Sequence, residues 1–313
     1  MKKTVLITAI GGDIAQGVAT IVRESFPDWR LIGTDIHDRH GGSLFVDTVI
    51  RAPTAGAADY DAWLQQLITR ESVDICIPMS EAELTHLARL PIAGIPRDRL
   101  LMANETAVDV GSDKLRTAQF LTSIGVPAPW TIPAEEFDAS TPLPCMFKAR
   151  RSAGSKAVFR CDSARAVEFY RDRYPFAVLQ ELLLPPDQEV TCAVFRTRAG
   201  ATAVLQLLRT LVGGFTGWAQ VIDDADVRAQ CTQLADALDL RGAINVQLRI
   251  TAGGPRIFEI NPRFSSTALL RHRLGFQDVL WSIRDALGQA VTIHQPSAGM
   301  TAVRVQGVGI IAQ

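Results

Sequence analysis

The sequence predicts a mixed α/β chain: an N-terminal domain built on a parallel sheet, then a second part whose strands return on themselves as hairpins. Three observations predict it. The first hundred residues alternate apolar runs with helical stretches. Beyond about residue 110 that rhythm gives way to strand–turn–strand patterns. At 313 residues the chain is also too long for one ordinary domain, and a soft prior gives about two or three.

The elements follow in order. "TVLITAI" is a continuous apolar run, as a strand buried on both faces should be. A Gly-rich turn, the helical stretch "IAQGVATIVRESF" and the strands "RLIGTDI" and "FVDTVI" come next. A helix around "YDAWLQQLITRE", the strand "VDICIP" and the helix "EAELTHLARL" complete a βαβ rhythm, which implies a parallel sheet covered by helices on both faces. "LPIAGIPRDRLLM" reads as the last connection and edge strand, with a domain boundary near Asn104–Val110. A helix then opens with Ser112 as N-cap, places Leu115, Phe120, Leu121 and Ile124 on one face, and stops at Gly125. "PCMFKARRSAGSKAVFR" reads as strand, loop, strand, followed by a helix "SARAVEFYRDRY" and a strand "FAVLQELL". "EVTCAVFR" and "ATAVLQLLRTL" form a hairpin, then come a glycine-rich loop "VGGFTGW" and a helix "DVRAQCTQLADALDL". "GAINVQLRIT" and "RIFEINP" form a second hairpin through Gly253 and Gly254, and two helices and a strand "AVRVQGVGII" close the chain.

Composition narrows the function. Hydrophobic residues make up 47% and charged residues 21%, as in a globular, enzyme-like chain. The net charge of −1 gives no bulk attraction to nucleic acid or an anionic membrane. No apolar run reaches the ~18 residues of a membrane span. The apolar run in "MKKTVLITAIGGDIAQG" stops at a Gly-Gly-Asp turn, too early for a signal peptide. Cys76, Cys145, Cys161, Cys192 and Cys231 are odd in number and widely spaced, which suits a reduced, cytoplasmic chain without a cysteine metal site.

Six stretches carry candidate chemistry. In "AIGGDIAQG", between strand and helix, backbone amides and the helix dipole favour an anion, and Asp35 ends the next strand. However, Gly11, Gly12 and Gly17 do not fit G-x-G-x-x-G, so a tight turn is the alternative to a nucleotide site. In "MFKARRSAGSKAVF" a loop with Ser152, Gly154 and Ser155 lies between Lys148 and Lys156, an arrangement that cradles phosphate. An exposed basic hairpin would also account for Lys148, Arg150, Arg151 and Lys156. "VLQELLLPPDQEV" puts Gln180 and Glu181 at a strand end and Glu189 at the next strand's start. That suits a flat heterocycle and a ribose, or an ordinary turn.

The pair "INVQLRI" and "FEINPR" says more. Period-2 alternation sends Glu259 and Asn261 to one face, where Gln247 of the partner strand can meet them, while Phe258 and Ile260 alternate as buried partners. Three oxygen donors, two of them neutral amides, suit Mg²⁺ that also takes phosphate ligands. Arg263 points the same way and suits a transferring phosphoryl group. A solvated strand face is the alternative. In "LLRTLVGGFTGWAQV", Arg209 is a candidate carboxylate clamp. Gly213, Gly214 and Gly217 would let the loop move, and Trp218 would cover an apolar group; a hairpin loop with a packed tryptophan is the alternative.

Lys114 in "SDKLRTAQFLTSIGVPAP", Lys148 before its small-residue loop, "LQELL" followed by Glu189, Gln247, and "FEINPR" stand in an order that resembles the ATP-grasp superfamily. The likeness is greatest to its carbamoyl-phosphate-synthetase-like branch, whose metal strand also reads acid–x–Asn–Pro–Arg. The resemblance implies a Rossmann-like pre-ATP-grasp α/β domain over 1–108, a small lobe with the phosphate loop over 109–181, and a large lobe with the metal site over 182–313. Lys114 and Lys148 would contact ATP phosphates under a loop of Ser152, Gly154, Ser155 and Lys156. Gln180, Glu181, Leu182 and Leu183 would lie at the adenine, and Glu189 on the ribose. Gln247, Glu259 and Asn261 would bind Mg²⁺, with Mn²⁺ an acceptable substitute. Arg263, with Lys148 and Arg209, would be catalytic.

The implied enzyme is an ATP-dependent ligase that joins a small carboxylate to an amine through an acyl phosphate, with no protein nucleophile; a homodimer is compatible with it. An ATP-grasp enzyme acting on another carboxylate in nucleotide or cofactor synthesis, or a non-catalytic nucleotide-binding module, are the alternatives. Two departures stand out. Ser266 occupies the place of a second arginine, which only Arg271 or Arg273 would then supply, and Gly154 is the sole glycine between the two lysines.

Overall fold

A computed structural model describes residues 2–89, 96–151, 157–305 and 307–311. The N-terminal unit contains β1 (Thr4–Ile7), α1 (Asp13–Ser25), β2 (Arg30–Asp35), β3 (Thr48–Arg51), α2 (Tyr60–Arg70), β4 (Ile75–Ile77) and α3 (Glu81–Arg89). Its sheet has the order β3-β2-β1-β4, and every pairing is parallel. α1 buries Ala15, Val18, Ala19 and Val22, the spacing of one helix face. Among the described residues of the expected edge strand, 96–102, no strand is assigned. Residues 90–95 lie outside the described residues, and of the remainder only Leu100 makes an isolated parallel bridge to Cys76.

α4 (Glu105–Gly111) and α5 (Lys114–Ser123) follow. The N-cap of α5 is Asp113 rather than Ser112: its carboxylate accepts from the backbone N–H of Leu115 and Arg116. A carboxylate is the stronger cap here because it also takes two bonds from Arg150 Nε, at 2.7 and 2.9 Å. The second sheet holds β5 (Thr131–Pro133), β6 (Cys145–Ala149), β7 (Val158–Cys161) and β8 (Ala177–Glu181) in the order β5-β8-β6-β7, with α6 (Ala164–Arg171) packed on it. Phe147, Cys145, Cys161 and Val167 form its small core, where the rings of Phe159 and Tyr170 stack at 4.0 Å.

The third sheet is antiparallel throughout. It holds β9 (Glu189–Arg196), β10 (Thr202–Val212), β11 (Phe215–Ile222), β12 (Gly242–Thr251), β13 (Gly254–Asn261) and β14 (Thr301–Val303), in the order β13-β12-β9-β10-β11-β14. α7 (Ala225–Ala237), α8 (Ala268–Leu274) and α9 (Asp278–Ala286) pack on it. One face carries Val190, Cys192, Val194, Ile244, Val246 and Leu248 into a core with Val227, Cys231 and Leu234 of α7. On the other face, Ala193, Phe195, Leu205 and Leu207 share a core with Trp281 of α9 and with Val18 and Ile21 of α1. By strand alternation, Glu189, Thr191, Gln247 and Arg209 continue that second face past the end of its apolar cover. The open end is where the cleft lies.

Two local departures shape it. Gln247 opposes Glu259 but Leu248 opposes Ile257, so Phe258 is an extra residue in a β-bulge. Ile257 and Ile260 therefore enter the core, and Phe258 lines the cleft instead of pairing with Ile260 as a buried residue. The expected loop "VGGFTGW" is a tight hairpin: Gly213 and Gly214 turn at φ +60° and +85°, and β11 begins at Phe215.

The Asp113 carboxyl sets the first prediction. Burial raises its pKa, but Arg150 and the capped amides outweigh that and hold it below the usual range. A lowered folded value means that its contribution is present above the unfolded value and is lost as pH falls through the folded one. Asp113→Ala should cost about 1–2 kcal/mol at neutral pH. That difference should shrink below about pH 4, as read by denaturant unfolding across pH.

Candidate active site

A cavity of about 330 Å³ lies between the second and third sheets, lined from both. Its charged lining residues are Lys114, Lys148, Arg209, Arg249 and Arg263 against Glu181, Glu189 and Glu259, so cations exceed carboxylates by two. Such a surplus suits a polyanion.

Lys148 enters from β6 and is buried. Its Nζ donates to Gln180 Oε1 at 2.6 Å and stands 4.8 Å from the centre of the Phe258 ring, which the bulge has turned toward it. Burial pushes its ammonium down to about 8; Glu259 opposes this and Lys114 adds to it. Lys114, at the start of α5, is also buried, and its backbone N–H donates to Arg150 O at 3.1 Å. Arg150 thus ties the first residue of that helix to the end of β6. Ser152, Gly154, Ser155 and Lys156 lie outside the described residues.

Gln180, Glu181, Leu182 and Leu183 line the cleft where β8 ends. The Glu181 carboxylate accepts from Arg256 at 2.9 Å and from the Trp130 N–H at 3.3 Å, and Leu183 O accepts from Arg249 at 2.8 Å. Glu189 is held between two guanidiniums: Arg209 Nη2 reaches Oε1 and Arg249 Nη2 reaches Oε2, each at 2.7 Å. Arg209 is therefore no free clamp. It also donates to Gln247 Oε1 at 2.9 Å, so the Gln247 carbonyl is occupied as well. Trp218 pairs with Thr210, the neighbour of Arg209, and so takes the opposite face of the sheet and does not cover the cleft.

Gln247 and Glu259 are direct cross-strand partners, as are Asn245 and Asn261. No hydrogen bond from a described residue reaches the Glu259 carboxylate or the Asn261 amide. Nor does any group of three His, Cys, Asp or Glu suited to a metal occur among the described residues. One carboxylate and one amide oxygen, unpaired and two residues apart, fit a Mg²⁺ that takes its other ligands from water and phosphate. Asn245 and Arg249 also line the cleft, and sequence reasoning missed both; the alternation that selected Gln247 in "INVQLRI" extends to both.

Arg263 donates to Glu81 Oε1 and to Phe264 O, each at 3.2 Å. It also borders a second cavity, of about 430 Å³, floored by Leu84, Leu100, Leu101 and Phe264. Neither proposed stand-in for a second arginine reaches the cleft. Arg271 is fully buried on Asp278, with Nε–Oδ1 at 2.9 Å, and also donates to Ser265 Oγ and Thr267 Oγ1. Arg273 pairs with Glu24 at the surface.

The N-terminal glycine turn is filled by its own protein. Asp35 Oδ2 accepts from the Gly11 N–H at 2.8 Å, in the place a ribose would need. At the strand ends beside it, buried Glu83 accepts from Thr8, Ser80 and Tyr60 at 2.6–2.8 Å. These contacts favour the turn over a dinucleotide site.

A parallel α/β unit followed by two antiparallel sheets that face each other across a cationic cleft is the architecture of the ATP-grasp fold. Residues 176–308 match a family model described as ATP-grasp in the biosynthetic pathway with Ter operon. Solved structures agree over almost the whole chain. An N5-carboxyaminoimidazole ribonucleotide synthetase in complex with ADP superposes with a TM-score of 0.75 at 18% identity, covering 96% of this chain and 80% of that one. The Staphylococcus aureus N5-carboxyaminoimidazole synthetase with ADP gives 0.76 at 15%, over 95% and 81%. The L-amino acid ligase of Bacillus licheniformis gives 0.70 at 16%, over 91% and 74%. No curated protein sequence matches the chain. The chain has the ATP-grasp fold, and its residues 176–308 match an ATP-grasp family model. No described helix is long and apolar enough to cross a membrane.

The Arg271–Asp278 pair holds the loop behind Arg263, so its loss has a calculable cost. Asp278→Leu alone leaves a buried guanidinium unpaired and should cost about 3–5 kcal/mol in urea unfolding; Arg271→Met with Asp278→Leu should recover most of it.

Proposed function

We propose that this chain is an ATP- and Mg²⁺-dependent ligase that activates a small carboxylate as its acyl phosphate and joins it to an amine, releasing ADP and phosphate. One observation carries the reading: Glu259 and Asn261, whose side chains take no hydrogen bond from a described residue, open into the same cleft as buried Lys148 and Lys114. That combination is of little use to packing and well matched to a metal–polyphosphate. Lys114 and Lys148 would bind the phosphates. Gln180 to Leu183 would meet the adenine at the end of β8. Glu189 already spans Arg209 and Arg249, so it would accept a ribose hydroxyl only on its remaining lone pairs. Glu259 and Asn261 would hold Mg²⁺ or Mn²⁺, with Gln247 joining only if Arg209 releases it. When bound, the ion would neutralise phosphate charge as it redistributes. Arg263 would orient the substrate carboxylate and offset charge on the phosphoryl group. Catalysis would consist of positioning and charge neutralisation, without a protein nucleophile.

We also divide the chain at 108 and 181, giving each of the three sheets its own unit, with the second and third as the two lobes around the nucleotide. The ADP-bound proteins of the same fold and the Bacillus licheniformis neighbour, an L-amino acid ligase, support a ligase over a passive nucleotide module.

Incubation with Mg-ATP, hydroxylamine and pooled carboxylic acids should yield hydroxamate together with ADP; ATP binding with no ADP formed for any acid would sink the reading. Glu259→Gln should lower ADP formation by at least about a hundredfold, while unfolding stability stays within about 0.5 kcal/mol of the parent.

Lys148 supplies a pH test. With its pKa at about 8 in the free protein, it is half neutral there, and a phosphate oxygen favours the ammonium. ADP binding should therefore take up a proton at pH 8, and affinity should fall as pH rises further. Calorimetry in buffers of different ionisation enthalpy reads the proton. In Lys148→Arg, which stays charged, affinity should be flat between about pH 7 and 9.5.

A further inference from the structure

Part of the cleft is built from residues that nucleotide binding does not require. Leu211 and Phe215, from the two strands of the β10–β11 hairpin, line it together with Ile14 from the first turn of α1 and with Ser265 and Ser266, which follow Arg263 in the chain. Leu211 and Phe215 are each 45% exposed. A hairpin tip ordinarily carries polar residues. Here it reads "TLVGGF", and Leu211 and Phe215 lie in a concave wall, which marks a ligand surface rather than a chance exposure.

The wall is held firmly. Arg304, next to β14, donates from Nε to Thr216 O at 3.3 Å and from Nη2 to Ser266 O, and its guanidinium stands 5.6 Å from the Phe215 ring. Its Nη1 also lies 3.7 Å from Asp13 Oδ2. One side chain thus joins the loop after Arg263, the hairpin and the start of α1. Its donors are directed at those partners, so it offers little to a ligand. Ser265 is committed to Arg271 and Thr267. This leaves an apolar surface of Ile14, Leu211 and Phe215 close to the Arg263 segment, with no charged residue among those three. A charged group placed there would be desolvated without a partner, at a cost well above that of a missing apolar contact.

We propose that this wall is the specificity pocket for the carboxylate substrate, that it selects a monocarboxylic acid whose body is apolar, and that Leu211 and Phe215 determine the selection. The proposal rests on the ligase reading for its role but not for its test. Saturation-transfer NMR on the protein with Mg-ADP, using 4-methylpentanoate against succinate as probes, reads binding directly. Binding of 4-methylpentanoate in clear preference to succinate is expected. Leu211→Ser with Phe215→Ser should weaken 4-methylpentanoate at least about tenfold and leave the affinity for Mg-ADP unchanged. Val212→Ser, at the same tip but not in the cleft lining, should change neither.

Equal binding of the two acids, no binding of 4-methylpentanoate, unchanged affinity in the double variant, or an equal loss in Val212→Ser would each overturn the pocket. ADP release is followed in parallel. Selective binding with no ADP from any acid would support the pocket and sink the ligase; ADP release with polar acids alone would do the reverse.

Discussion

An ammonium group buried between two sheets must find partners, and the partners of Lys148 organise the cleft. Gln180 takes its hydrogen bond, Phe258 offers its ring, and Glu259 supplies the charge that partly offsets desolvation. Each partner comes from a different piece of geometry: β8 beside β6 in one sheet, the bulge in β13, and the strand alternation that follows it. Without the bulge, Phe258 and Glu259 would fall on faces set by simple alternation, and Lys148 would face a different surface. The one-residue insertion turns the metal-ligand pair and the ring toward the lysine while Ile257 and Ile260 stay in the core.

The third sheet does two jobs on one face. At one end its alternate residues are apolar and pack against α1 and α9. At the other end the same alternation presents Glu189, Arg209, Gln247 and Arg249, which are linked to one another, and Asn245, whose Oδ1 accepts from Thr191 Oγ1. Linked side chains lose little further freedom when a ligand arrives, which is the physical content of preorganisation. The cost is that groups read as free ligands are already engaged. Glu189 and Gln247 are held by Arg209, whereas Glu259 and Asn261 accept no side-chain hydrogen bond from a described residue. Behind Arg263, the buried Arg271–Asp278 pair and the Arg304 bridge do the same for the loop that continues the cleft wall.

Much of this could be read in the sequence. Helix and strand order followed from periodicity, and the β9–β10 and β12–β13 hairpins formed as expected, because apolar period-2 runs joined by turn residues have few alternatives. The face shared by Gln247, Glu259 and Asn261 was legible for the same reason. Three local expectations failed for lack of a local signal. Ser112 and Asp113 are both good caps, and Arg150, far along the chain, favours the second. "VGGFTGW" has the glycines of a loop, yet cross-strand pairing with β10 and β14 draws all but its turn into β11. The bulge at Phe258 has no signature in "RIFEINPR".

The sequence by itself determined what alternation and order can carry: a parallel α/β unit, the antiparallel strands after it, and the succession of Lys114, Lys148, Glu189, Gln247, Glu259, Asn261 and Arg263. Only the tertiary structure decided which of these groups are available. Arg209, Arg271 and Arg273 are candidate ligand-binding cations in the sequence; in the fold they are bound to Glu189, Asp278 and Glu24 respectively. Arg304, too distant in sequence to suggest any part in the cleft, reaches Ser266. The physical reason is range. A strand's faces depend on neighbours two residues away, whereas the pairing of a charge depends on whichever carboxylate the whole fold brings within about 4 Å.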